Sequence, residues 1–155
     1  MSHFLFVAGA LRERTSQESA ECQLSAGIWG LRTALIADNL KKFVTEQSHG
    51  LVYVLKMGIC ADFAILSPVL PFTAMDDLLQ DDMRTEARFG FVRIEVRRRW
   101  NSSAVQCQTL LQQVLNVPEQ AEFNRRLSLG MHRLTEPEYR AITNGLSENI
   151  LGEKS

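Results

Sequence analysis

Gly50-Leu51-Val52-Tyr53-Val54-Leu55-Lys56-Met57-Gly58-Ile59-Cys60-Ala61-Asp62-Phe63-Ala64-Ile65-Leu66 is the stretch whose reading decides the fold. Val, Tyr and Val favour a pleated surface, and Gly50 and Gly58 bound the first run. It therefore reads as a strand, Leu51 to Lys56, a turn at Met57-Gly58-Ile59, and a second strand, Cys60 to Leu66, ended by Pro68 and Pro71. Working outward from this hairpin, His3 to Ala8 alternates as a strand. Phe89 to Val96 reads as another, with Arg93 and Glu95 between apolar residues. Leu127 to Leu134 reads as the last.

Helical signals lie mainly in the C-terminal half. Ser102-Ser103 caps a helix over Ala104 to Leu115, with an apolar stripe of Val105, Leu110, Leu111, Val114 and Leu115. Pro118 begins a second helix that runs to about Arg126. Thr135 and Glu138 form a capping box for a third, which runs to about Asn144-Gly145. Glu13 to Ser25 reads as a loop or short helix, and Ala34 to Glu46 as a short helix or a strand with a helical turn. Met75 to Met83 is acidic and reads as a loop or short helix. Strands and helices are not interleaved one for one. The expectation is an α+β fold: a small curved mixed β-sheet or partial barrel of five to six strands, flanked by about three helices.

The 155 residues fit one domain, read as 1–146, with a polar, frayed tail at 147–155. A formal net charge of −1 excludes a general basic nucleic-acid coat but leaves room for a local basic patch. No apolar run approaches the length of a membrane span, and the N-terminus lacks the basic region of a signal peptide. Cys22, Cys60 and Cys107 are odd in number, widely spaced and form no C-x-x-C, which fits reduced thiols and a cytoplasmic location.

The chain carries no phosphate-binding glycine motif, no G-x-S-x-G and no pair of ligands at metal spacing. His3, His49 and His132 are isolated. Asp76, Asp77, Asp81 and Asp82 lack the glycine and terminal glutamate of an EF-hand, so they read as a solvated loop. The expectation is a binding protein rather than an enzyme, with no cofactor and no metal. Three features remain. Trp29 sits in Gly27-Ile28-Trp29-Gly30, where flanking glycines permit a sharp turn or a close backbone approach. It is either presented by that turn or plugs the end of a sheet. Arg84, Arg88, Arg93, Arg97, Arg98 and Arg99 lead into Trp100. On a regular strand Arg97 and Arg99 share one face and Arg98 takes the other; the series is either a phosphate-binding patch or a solvated strand end. Ser67-Pro68-Val69-Leu70-Pro71-Phe72-Thr73 is a loop stiffened by two prolines, holding Phe72 at a fixed angle or packing it on the core.

In order, Phe4-Leu5-Phe6-Val7-Ala8, Gly27-Ile28-Trp29-Gly30, Asn39-Leu40-Lys41-Lys42-Phe43, the central hairpin, Arg88-Phe89-Gly90-Phe91-Val92-Arg93-Ile94 and Gly130-Met131-His132-Arg133-Leu134-Thr135-Glu136-Pro137-Glu138-Tyr139 resemble the EVE and YTH domains of the PUA-like superfamily. The resemblance spans Phe4 to about Ile142. It implies a reader of a modified, methylated or flipped base in DNA or RNA, as in the specificity domains of modification-dependent restriction systems, with a place in a larger restriction or processing complex. Trp29 occupies the position of the family's pocket tryptophan, and the second wall falls near Phe72, with Trp100 later in the chain. Ser25 and Asp62 are the candidates for reading the base edge. Arg97, Arg98, Arg99, Arg32, Lys41 and Lys42 are the candidates for the phosphate backbone. This reading needs the Trp29 indole displayed at the mouth of the concave sheet. The alternatives are a small ASCH-like RNA-processing enzyme and a protein-interaction subunit docking through Ala104 to Leu115.

Overall fold

The structure is a computed structural model that describes residues 2–10, 14–45 and 47–154, with side chains as far as Leu146. Glu13, Glu46 and the side chains of the 147–155 tail, which bound or compose expected segments, lie outside the described residues. In chain order the elements are β1 (His3–Ala8), α1 (Ser16–Ala26), β2 (Ile28–Gly30), α2 (Ala34–Phe43), β3 (His49–Val54) and β4 (Gly58–Ile65). A 3₁₀ turn (Phe72–Ala74) follows, then α3 (Asp77–Asp82), β5 (Phe91–Arg99), α4 (Ala104–Val114), α5 (Gln120–Leu127), β6 (Met131–Leu134) and α6 (Glu136–Lys154).

The six strands form a curled mixed half-barrel in the order β2-β5-β4-β3-β1-β6. β1 and β3 run parallel, and every other pairing is antiparallel. Both faces of the sheet are covered. Phe4, Phe6, Val52, Phe63, Ile65, Val92 and Ile94 pack under Ala20 and Leu24 of α1 and Ile36 and Leu40 of α2. Leu5, Val7, Leu51, Tyr53 and Ile59 face Cys107 and Leu111 of α4, Phe123 of α5 and Ile142 and Leu146 of α6. Burial on two faces is why β3 reads as a continuous apolar run rather than an alternating one.

The expected strands and the α+β class are present, and the helices number six among the described residues rather than about three. α1 is a full helix because Thr15 and Glu18 make a capping box: the Thr15 hydroxyl accepts from Glu18 N at 3.1 Å and Glu18 accepts from Thr15 N at 2.9 Å. α5 begins at Gln120, after Pro118, and takes Leu127 from the expected last strand. α6 starts at the expected Thr135–Glu138 box. It does not stop at Gly145, which faces α4: a Cβ there would lie 2.9 Å from the Leu110 side chain, so this glycine serves helix packing. The apolar stripe of α4 is spent in the same packing. Leu111 is fully buried, Leu110, Val114 and Leu115 pack beside it, and Val105 alone of the five is exposed. The docking face expected on this helix is therefore interior. No helix among the described residues is long and apolar enough to cross a membrane.

Candidate functional site

α1 ends at Gly27, whose left-handed backbone (φ 72°) closes the helix and turns the chain into β2. β2 is an edge strand whose Trp29 pairs with Val92 of β5. The ring points inward: Trp29 is 4% exposed, with its centroid 6.0 Å from Phe6 and 5.9 Å from Phe63. The expectation of a displayed indole is corrected here. Pairing of a three-residue strand on β5 fixes which side its middle residue faces, and that side is the core.

A crevice borders this ring, lined among others by Ala8, Ser19, Gln23, Gly30, Arg32 and Ile36. Its free volume is about 10 Å³, room for one water at most. Its polar wall is tightly bonded. Gly30 N donates to Gln23 Oε1 at 2.7 Å, and Gln23 Nε2 donates to Ser19 O at 3.2 Å. Ser19 Oγ donates to Glu86 Oε2 at 3.1 Å, and Arg14 Nη1 donates to the same oxygen at 3.0 Å. Glu86 is 2% exposed, and Arg14 also pairs with Asp82. Ser19, Gln23, Arg14 and Glu86 were not singled out in the sequence. They sit in polar stretches that carry no motif, and only the packing of α1 against the chain before β5 joins them. Arg32, half-buried at the crevice mouth, has no carboxylate partner among the described residues.

Trp100 lies elsewhere, on the other side of α1. It is 7% exposed, packs with the second core and carries the Arg98 guanidinium 4.9 Å from its ring centre. It borders an open cleft of about 450 Å³ together with Gln17, Glu21, Met57, Cys60, Arg99 and Asn101. Phe72 is in a third place. It is half-buried beside Met75 and Met83 and lines a shallow cleft of about 340 Å³ with Lys41, Arg88 and Phe89. The structure thus does not gather Trp29, Phe72 and Trp100 around one cavity. Ser25 is exposed on α1 and borders none of these cavities. Asp62 is 2% exposed, with Oδ2 accepting from Tyr139 Oη at 2.8 Å and from Arg98 Nη2 at 3.0 Å.

The arginine run is rearranged by a bulge. Phe63 pairs with Val96 but Asp62 pairs with Arg98, so β5 carries one extra residue at this point. Arg98 consequently falls on the Asp62 face and Arg99 on the Ala61 face beside α1, and the alternation expected for Arg97, Arg98 and Arg99 fails. All three are engaged: Arg97 with Glu95 at 3.3 Å, Arg98 with Asp62, and Arg99 with Glu21 at 2.7 Å.

Lys41, Lys42, Arg88 and Arg133, by contrast, have no carboxylate partner among the described residues. They form a strip at the C-terminal end of α2. Arg133 lies 3.9 Å and Lys42 Nζ 6.0 Å from the Phe43 ring centre; Lys41 and Arg88 border the Phe72 cleft, where Arg88 lies 5.3 Å from the Phe89 ring centre. α2 joins this strip to the crevice, because Ile36 in its first turn lines the crevice wall.

No family model and no curated protein matches the sequence. Solved structures do match in shape. Human THYN1, determined in complex with DNA containing 5-methylcytosine, superposes with a TM-score of 0.60 at 15% identity, covering 94% of this chain and 98% of that one. The YTH domain-containing protein mmi1, in complex with RNA, gives 0.68 at 9% identity over 98% and 85%. The YTH domain of Zygosaccharomyces rouxii MRB1, in complex with N6-methyladenosine RNA, gives 0.61 at 11% identity over 92% and 84%. The fold is that of the EVE and YTH domains. At these identities the likeness concerns the path of the backbone.

Proposed function

We propose that this protein is a nucleic-acid-binding module that takes a modified or extruded base beside Trp29 and holds the phosphates of the strand on the strip at the end of α2. The observation that carries this reading is the strip: Lys41, Lys42, Arg88 and Arg133, without a carboxylate partner among the described residues, set among Phe43, Phe72 and Phe89 at the end of the helix that also walls the Trp29 crevice. Unpaired cations attract phosphate at no cost of breaking an existing ion pair, which Arg97, Arg98 and Arg99 would have to pay. The exposed Phe89 ring and the half-buried Phe72 beside them offer stacking surface to a base, about 1–3 kcal/mol where a ring is fully used. The fold adds direction, since THYN1 and the MRB1 domain were solved with 5-methylcytosine DNA and N6-methyladenosine RNA.

As it stands the crevice is too narrow for a base, so this reading requires it to open beside Trp29. Arg32, at the crevice wall and without a carboxylate partner among the described residues, is the cation available there. A buried methyl group contributes about 0.8 kcal/mol, roughly fourfold in affinity. Extruding a paired base costs a few kcal/mol, so single strands bind better than duplexes. The reading is of a binder rather than a catalyst, supported by the neighbours solved as complexes with DNA or RNA; burial pushes the Cys60 thiol up to about 11 and raises Cys22, which disfavours a thiolate at either. Work within a larger restriction or processing complex belongs to the same reading.

The test is equilibrium binding of short single-stranded DNA and RNA, each with and without 5-methylcytosine or N6-methyladenine, over a range of salt. A methylated strand is expected to bind several-fold more tightly than its unmethylated twin, with Trp29→Phe narrowing that ratio in a folded protein. Equal binding of every methylated and unmethylated pair, or binding insensitive to salt, rules the reading out.

A further inference from the structure

The open cleft at Trp100 is not part of the Trp29 crevice. α1 lies between them, lining the cleft with Gln17 and Glu21 and the crevice with Ser19 and Gln23. The cleft is about 450 Å³, within the range of small-molecule sites, whereas the crevice admits one water. Its wall is divided by chemistry. Met57, 46% exposed, supplies most of the apolar side, with the edge of Trp100 and the half-buried Cys60 beside it and Val54 and Ile59 buried behind; its flexible thioether can adapt to a flat ring. Opposite them the Arg99 guanidinium donates to Glu21 Oε1 at 2.7 Å, one nitrogen of the fork being used and the second carboxylate oxygen remaining open. The amides of Gln17 and Asn101 and the indole N–H of Trp100 make no hydrogen bond among the described residues. The same rim therefore offers charged and neutral donors beside carboxylate and amide acceptors. Lys56, one residue before Met57 in the β3–β4 turn, has no carboxylate partner among the described residues.

A ligand matching this wall is flat, apolar on its faces, and carries both donors and acceptors on its edge. We infer that the Trp100 cleft is a second nucleobase site, its apolar side covering the ring and its Glu21–Arg99 pair with Asn101 and Gln17 meeting the ring edge. The base belongs to a free nucleotide or to a strand also held on the α2 strip. Cys60 borders the cleft as a protonated thiol and acts as part of the apolar wall. The site stands on its own geometry and does not require a base beside Trp29.

The chain has two tryptophans, so its ¹⁵N–¹H spectrum has two indole signals, assignable with Trp29→Phe and Trp100→Phe. The full chain is titrated with the adenine, cytosine, guanine and uracil nucleoside monophosphates, with inorganic phosphate, and with a short single-stranded oligonucleotide. The expected result is a saturable shift of the Trp100 indole signal with at least one nucleotide and none with inorganic phosphate. Gln17→Ala with Asn101→Ala, both exposed positions, should weaken that binding about 3- to 10-fold, the loss of one net hydrogen bond or more. A Trp100 shift with the oligonucleotide but not with free nucleotides also supports the site and assigns its base to a strand. No saturable Trp100 shift with any of them overturns it, as does an equal shift with inorganic phosphate. Movement of the Trp29 signal alone overturns this site and leaves the proposed function standing; movement of the Trp100 signal alone supports this site, and the proposed function then stands or falls by its own comparison of methylated and unmethylated strands.

Discussion

Gly30 and Glu86 are pressed backbone against backbone. A Cβ on Gly30 would overlap the Glu86 carbonyl and lie 2.8 Å from Ala87 N. This contact seats β2 under the chain that leads into β5 and holds Trp29 turned inward. Backbone cannot move aside as a flexible side chain does, so Gly30→Ala is expected to destabilise by about 3 kcal/mol, the upper end of overpacking costs. Urea unfolding measures it; a midpoint unchanged from the parent would show that β2 is free to shift.

Glu86 is the most buried member of an ion pair whose partner Arg14 keeps 22% of its side-chain surface. Glu86→Ala leaves the buried Ser19 hydroxyl without its acceptor and takes one of two carboxylates from Arg14, which keeps Asp82, for an expected loss of about 1–3 kcal/mol. Glu86→Gln retains an acceptor and should lose less. Chemical denaturation of the two variants side by side checks the order.

His3 is 3% exposed, stacked 4.2 Å from the Tyr139 ring, and neither ring nitrogen has a hydrogen-bond partner among the described residues. Burial first, and then the nearby His49, lower its pKa below the ordinary histidine value. The folded protein therefore holds His3 neutral while the unfolded chain takes up a proton. Stability is complete above about pH 6.5 and declines as pH falls from there through the depressed folded value. His3→Phe removes a titrating group from the stack, so the fall in melting temperature between pH 7 and pH 5 should be smaller in that variant. An unchanged fall would place the acid sensitivity at another group, with His132, also lowered by burial, the next to replace.

Lys41 and Lys42 are exposed in the last turn of α2, where a positive charge suits the helix C-terminus. Lys41→Glu and Lys42→Glu should each cost about 1 kcal/mol of stability and leave the protein folded. Each should weaken oligonucleotide binding and reduce the slope of log affinity against log salt by about 1. Arg97→Glu, at a side chain already paired with Glu95, should change the slope less. The comparison is read from binding curves at four or five salt concentrations.

Much of the architecture was legible in the order of residues. The β3–β4 hairpin was readable because Gly50 and Gly58 frame a run of β-branched and aromatic residues, and the start of α6 because Thr135 and Glu138 have the spacing of a capping box. α1 was less so: its polar surface gives little helical periodicity, although Thr15-Ser16-Gln17-Glu18 carries the same box that starts α6. Gly145 misleads as a stop, since a glycine that ends a helix and one that lets two helices approach look alike in one dimension.

The sequence by itself determined local matters: which segments form strands, where helices are capped, and which glycines flank Trp29. Tertiary structure alone decided the site. Whether Trp29 faces solvent or Phe63 depends on which side of β5 its short strand pairs with. Which arginines stay free depends on a one-residue bulge and on where Glu21, Asp62 and Glu95 end up. Hydrophobic pattern and capping act within a few residues, whereas the Asp62–Arg98, Arg14–Glu86 and Glu21–Arg99 pairs join residues 36 to 78 positions apart, and that joining is made only when the sheet curls.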